Sequence, residues 1–158
     1  VKTLSKGMVA QLHLALVMSI EAELLVLDEP TLGLDILYRK EFYNQLLAEF
    51  FDEGRSILVT THQIEEVENL LTDLIFIKDG QIVLDASMDE VSEKYVEVMV
   101  GKEDIEKAKA LNPVMERDVF GRKVYLFEDV ERDVLETLGE LHSPSVADLF
   151  VAKMKENK

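Results

Sequence analysis

The sequence contains no cysteine, which excludes disulfides and thiolate metal sites and fits a cytoplasmic protein. Nor does it hold an apolar run long enough to span a bilayer. The most apolar region, Leu12 to Leu27, is broken by Glu21 and Glu23 and falls short of the ~20 apolar residues a spanning helix needs. Any place at a membrane is therefore expected to come through a partner. Cations are scarce: 17 Lys and Arg face 32 Asp and Glu, a formal net charge of −15. That balance argues against a nucleic-acid or anionic-lipid binder, which needs clustered Lys and Arg. The sequence shows no internal repeat and no low-complexity segment. It opens on Val1 rather than Met, within loop-like sequence, as expected of a piece excised from a longer chain.

What is present is a globular composition. Hydrophobic residues make up 47% and charged residues 31% of 158, enough for one medium domain or two small ones. The organising stretch is Leu24-Leu25-Val26-Leu27-Asp28-Glu29-Pro30, an apolar run that suits a strand buried on both faces of a parallel sheet. Its two acids emerge at the carboxyl end, where open α/β sheets place ligands. Read alone, they are either a solvated strand end or a pair meeting a metal, a donor or a reacting water. A helix is expected from about Met8 to Ser19, with Ser5 as its cap; the functional alternative is a phosphate site at the helix start, opened by Gly7. His13, within that helix, is assigned no role.

Further along, Asp35 can cap a helix over 36–52, whose Leu34, Tyr38, Phe42, Leu46 and Phe50 form a stripe to pack on the sheet. Ser56 to Thr60 reads as a second strand, closed by Thr61-His62. Glu65, Glu66 and Glu68 read as the solvated face of a following helix. Asp79-Gly80 signals a hairpin. Near Ala86 the pattern changes to strand, helix, hairpin, helix, with a turn at Gly121-Arg122 and Glu140 to His142 as a short last strand: a ferredoxin-like βαββαβ unit, followed by a last helix. The chain is accordingly divided into residues 1–86 and 87–158.

Four features fall in order: Leu4-Ser5-Lys6-Gly7-Met8 before a helix, Leu24 to Glu29, Leu32-Gly33-Leu34-Asp35, and Thr60-Thr61-His62. Together they resemble the signature motif, Walker B strand with catalytic glutamate, D-loop and switch histidine of ATP-binding cassette (ABC) ATPases. The resemblance implies the α/β fold of a partial P-loop NTPase (RecA-like), a parallel sheet with helices, followed by a small α+β accessory domain. It also implies roles. Asp28 would hold Mg²⁺ through water, Glu29 would orient or deprotonate the attacking water, and His62 would sense the γ-phosphate. Ser5, Lys6 and Gly7 would bind ATP held mainly by a second ATPase subunit, a homodimer partner, with Asp35 at the shared interface.

The same resemblance implies a transmembrane permease partner, so that the subunit is cytoplasmic and peripheral to the membrane's inner face. Asp79 to Val83 and Pro144 to Phe150 resemble drug- and antibiotic-exporter ATPases. Lys6, Met8 and Gln11 depart from the usual signature residues. A phosphate-cradling Gly-x4-Gly-Lys-Ser/Thr loop is missing: the Gly101-Lys102 pair follows Val96 at that spacing and precedes Glu103. This chain alone is therefore expected neither to bind nor to hydrolyse ATP. Two other readings stay open, a non-transport ABC ATPase of translation or repair, and a non-catalytic dimerisation or regulatory module.

Overall fold

The apolar run at Leu24 folds as a short strand, β1 (Leu24–Asp28), pairing in parallel with β2 (Ser56–Thr60) from Leu24↔Ser56 to Asp28↔Thr60. The computed structural model describes residues 4–50 and 54–155, and for Lys6, Ala10 and Met18 the backbone alone. The chain divides into two units, Val1–Val67 and Glu68–Lys158. In the first, Ser5 caps helix α1 (Lys6–Met18), its hydroxyl accepting the Met8 N–H at 3.2 Å. Asp35 caps α2 (Ile36–Phe50), its carboxylate accepting from Leu37 N–H and Tyr38 N–H at 3.1 and 3.2 Å. A single turn, α3 (Ile64–Val67), follows β2.

Two expectations need correcting here. β1 is not buried on both faces: Leu24 and Val26 remain 55% and 57% exposed. Their sheet has two strands among the described residues, and alternation points them, with Leu58, to its open side. The α2 stripe packs on α1 and α3, with Phe42, Leu46 and Phe50 buried. Tyr38 leaves that stripe and lies exposed over Gly7, where an added Cβ would meet its ring at 3.5 Å.

The second unit begins with a 3-10 turn (Glu68–Leu70) and a hairpin of β3 (Asp73–Lys78) and β4 (Gln81–Ser87). Asp79 and Gly80 both take positive φ, 51° and 78°, as the tight two-residue turn requires. A Ser87–Glu90 capping box starts α4 (Met88–Lys94). Then come β5 (Tyr95–Val100), α5 (Ile105–Ala110), β6 (Met115–Val119), β7 (Arg122–Glu128), α6 (Arg132–Glu136) and β8 (Gly139–His142). Their antiparallel sheet has the order β6-β7-β5-β8, the arrangement a βαββαβ unit makes when its first and third strands are central. The turn between β6 and β7 is Phe120-Gly121, not Gly121-Arg122, because Arg122 already pairs with Val119.

One face of this sheet presents Val96, Val98, Val100, Tyr125 and Phe127, packed with Ala108, Leu135 and Leu138. The other carries Tyr95, Glu97, Arg117 and Glu128, met by the last helix, α7 (Val146–Lys155). Arg117 grips buried Glu97 through both carboxylate oxygens, at 3.0 and 3.1 Å, and reaches Asp148 at 3.4 Å. Lys153 donates to Glu128 at 2.7 Å beside the Tyr95 ring. Burial pushes the Tyr95 phenol up to about 12. For Glu128, burial acts upward, but hydrogen bonds from Lys153 and Tyr95 outweigh it and hold the carboxyl below its ordinary value. The β3–β4 hairpin lies on α7 as well: Phe76 meets Phe150 edge-on and Lys78 donates to the Met154 carbonyl at 2.7 Å. Those contacts put the hairpin in the second unit, ahead of the change of sequence pattern near residue 86.

Gly139 tests the sheet. A Cβ there would stand 2.1 Å from the Met99 carbonyl oxygen, a backbone atom that cannot step aside. Gly139→Ala is expected to destabilise the second unit by about 2–3 kcal/mol, as forced overpacking does, read as a lower urea midpoint; Gly101→Ala, whose added Cβ has a side chain as neighbour at 3.5 Å, is expected to change it far less.

Candidate functional site

Parallel pairing brings the ends of β1 and β2 together, and the backbone extends the match by one residue, Glu29 N–H donating to the Thr60 carbonyl at 2.9 Å. The candidate residues Asp28, Glu29 and His62 therefore share one edge. Thr60 hydroxyl donates to Asp28. Glu29 is more fully engaged: it accepts His62 N–H at 3.0 Å, the Thr61 hydroxyl at 3.2 Å, and lies 2.6 Å from His62 Nδ1. Its backbone sits in the left-handed region, φ 44°, which side-chain-bearing residues seldom adopt. The His62 hydrogen bond is the largest influence on the Glu29 carboxyl and holds it below its ordinary 4.5, against a smaller upward push from burial.

Behind this edge lies a polar cluster that sequence reasoning missed. Thr31 is fully buried, with its hydroxyl 3.4 Å from Tyr43 Oη, Gln63 Oε1 and Glu66 Oε2. Arg39 pairs with Glu66 and donates through Nε to the Leu34 carbonyl at 2.6 Å. The cluster fastens the turn after Glu29 to the helix after His62. Glu66 and Glu68 are thus not a solvated face: Glu68 accepts the Val146 N–H at 2.8 Å at the start of α7. The sequence pattern does not pair Thr31 with Arg39 or Glu66, the latter 35 residues further on.

Gly7 and Asp35 meet at Tyr38, whose N–H Asp35 caps and whose ring covers Gly7, and Ser5 caps the helix in whose first turn Gly7 lies. Lys6 starts α1, and its side chain lies outside what is described. Among the described residues no hydrogen bond or ion pair joins this group to Asp28, Glu29 or His62. An open cleft of about 440 Å³ runs between α1, β1 and the following turn, with Val9, His13, Val17, Val26, Asp28 and Leu32 on its walls. No cluster of three or more acidic or histidine side chains that could hold a metal occurs among the described residues. A single strand-end carboxylate beside a hydroxyl does suit Mg²⁺ kept mostly in water and phosphate oxygens. No helix among the described residues is long and apolar enough to cross a membrane.

The geometry thus defines an α/β site in which strand-end carboxylates are answered by a histidine on the neighbouring strand's exit. Comparison with known proteins supplies the kinship. A family profile described as "AAA domain, putative AbiEii toxin, Type IV TA system" matches residues 2–68. Three curated relatives are transport proteins. The ABC transporter ATP-binding protein YtrB of Bacillus subtilis (strain 168) is 30% identical over 99 residues, 63% of this chain and 34% of the relative. The lantibiotic transport ATP-binding protein SrtF of Streptococcus pyogenes is 37% identical over 89 residues, 56% and 38%. The glycine betaine transport ATP-binding protein OpuAA of Bacillus subtilis (strain 168) is 30% identical over 118 residues, 72% and 28%. The chain is homologous to ABC transporter ATP-binding proteins and matches about a third of the length of these relatives.

The Glu29–His62 contact can be tested directly. Carboxyl NMR is expected to show Glu29 titrating below 4.5 and moving up in His62→Ala. Because the folded value is the lowered one, the stabilising contact is present above the unfolded value and is lost as pH falls through the folded one.

Proposed function

We infer that this chain carries the signature, Walker B, D-loop and switch-histidine part of an ABC transporter ATP-binding subunit, whose ATP-driven dimerisation drives a separate membrane permease. The observation that carries the reading is the Glu29 carboxylate, held ionised at the carboxyl end of a parallel strand with His62 Nδ1 at 2.6 Å. We place the cassette part at residues 1–86 and the accessory part at 87–158, and take the direction as export, on the exporter-like sequence at Asp79 to Val83 and Pro144 to Phe150.

In this reading Glu29 orients the attacking water and accepts its proton, a task suited to a carboxylate that is ionised and partly open to solvent. His62 donates through Nδ1 to Glu29, leaving Nε2 to donate to a γ-phosphate oxygen when the ring is protonated. Asp28 holds a Mg²⁺ through water, and the metal, when bound, neutralises charge that develops on the phosphates. Ser5 and Gly7, at the start of α1, present backbone N–H groups and a hydroxyl to the nucleotide of a second subunit, with Lys6 in the same segment and Asp35 at the shared interface. Binding to a permease would make the protein peripheral to the cytoplasmic side of the membrane.

The test uses the full-length subunit. Glu29→Gln is expected to bind ATP while kcat falls about 10²–10⁴-fold; hydrolysis at the unaltered rate would refute the role given to Glu29. The 158-residue chain alone is expected to show no binding at micromolar ATP by calorimetry, since it contains no Gly-x4-Gly-Lys-Ser/Thr loop.

A further inference from the structure

The buried hydroxyl of Thr31 closes two rings of hydrogen bonds, and one of them runs through the Glu29 carboxylate. In the first ring Glu29 Oε2 accepts the Thr61 hydroxyl at 3.2 Å, and Thr61 Oγ1 accepts the Gln63 N–H at 3.0 Å. Gln63 Oε1 accepts the Thr31 hydroxyl at 3.4 Å, and Pro30 alone separates Thr31 from Glu29 along the chain. In the second ring the Thr31 hydroxyl lies 3.4 Å from Glu66 Oε2, Glu66 pairs with Arg39, and Arg39 Nε donates to the Leu34 carbonyl at 2.6 Å. The Leu34 N–H returns to the Thr31 carbonyl at 3.0 Å. Thr31 belongs to both rings.

A hydroxyl offers one proton and two lone pairs. The Thr31 proton has two acceptors at equal distance, Gln63 Oε1 and Glu66 Oε2, which leaves its lone pairs for Tyr43 Oη, also at 3.4 Å. Burial pushes the Tyr43 phenol up, against a smaller downward pull from its bond to Thr31, and the charges of Glu66 and Glu29 add to the rise. The phenol therefore stays protonated and donates to Thr31, whose own proton is left for the rings. Thr31 has no exposed surface, so water does not replace a partner lost there. Valine would fill nearly the same space and take part in neither ring.

Glu29 needs such a hold. Its φ of 44° lies where a side-chain-bearing residue remains only when the surroundings over-determine it. Its carboxylate partners, Thr61 and His62, sit in the segment leaving β2 rather than in the strand itself. Thr31 is the buried link from that segment back to the turn after Glu29. We propose that Thr31 is a positioning residue for Glu29, its hydroxyl holding the Thr61–Gln63 segment against the turn so that Glu29 and His62 stay in contact. It touches no reacting atom. Its effect on hydrolysis rests on the role given to Glu29 above, whereas its hold on the contact does not.

Thr31→Val and Thr31→Ser separate the hydroxyl from packing. In the full-length subunit Thr31→Val is expected to lower kcat about 10–10²-fold, as a displaced catalytic group does, with KM for ATP unchanged, and Thr31→Ser to restore most of the rate. In the 158-residue chain, amide hydrogen exchange followed by NMR is expected to quicken at least ~10-fold at His62 and Gln63 in Thr31→Val, while the N–H groups of the β1–β2 ladder keep the parent rates. Gln63→Ala opens the first ring but leaves Thr31 with Tyr43 and Glu66; it is expected to quicken exchange at His62 in the same local way, and it decides the matter should Thr31→Val unfold. Unaltered kcat in Thr31→Val where Glu29→Gln is inactive, Thr31→Ser as slow as Thr31→Val, or exchange that rises equally through the ladder would overturn the proposal. Full hydrolysis by Glu29→Gln would instead remove the role given to Glu29, and hydrogen exchange would still decide whether Thr31 holds the contact.

Discussion

The site depends on the register between β1 and β2. Leu24 lies beside Ser56 and each later pair follows, so Asp28 reaches Thr60 as both strands end. A shift of one residue would turn Leu25 and Leu27 to the other face and carry Glu29 away from Thr61 and His62. One extra backbone hydrogen bond, Glu29 to Thr60, continues the ladder past the last regular pair and sets the carboxylate opposite the histidine. The catalytic reading therefore rests on main-chain pairing, with the side chains occupying places the backbone has assigned.

The cluster behind the edge gives that pairing depth. Thr31 is polar and wholly buried, a state that is tolerable where hydrogen-bond partners surround it. Its partners come from α2 and α3, and Arg39 adds the Leu34 carbonyl in the turn leading to Asp35. The turn after Glu29, the segment after His62 and the Asp35 region are thus fastened to one another by polar contacts. In the second unit α7 has the equivalent place, taking ion pairs on the sheet side and Phe76 with Lys78 on the hairpin side.

Much of this was legible in the sequence, for physical reasons. Asp28, Glu29 and His62 were visible because each closes an apolar strand, and strand ends collect at one edge of a parallel sheet. The βαββαβ unit was visible because short strand-like and helical runs succeed one another in that order, with Gly101 and Gly121 where the chain turns. The faces were less legible. A continuous apolar run cannot say which neighbours a strand has, and Leu24 and Val26 prove exposed in these two strands. Charged residues were misread where they pair at a distance: Glu66 and Glu68 look like a solvated face until Arg39 and the start of α7 are placed beside them. The β6–β7 turn lies one residue ahead of the Gly121-Arg122 pair the sequence suggests, because Phe120, which is not a turn former, occupies its first position.

The left-handed backbone of Glu29 gives that position two competing preferences. The main chain there suits glycine, while the chemistry proposed for it needs a carboxylate that glycine lacks. Ranking substitutions by foldability and by activity should therefore give opposite orders: the replacement most comfortable for the backbone removes the group the site is built around, and the closest mimic of that group keeps the strain. Selection for stability alone would erode this residue.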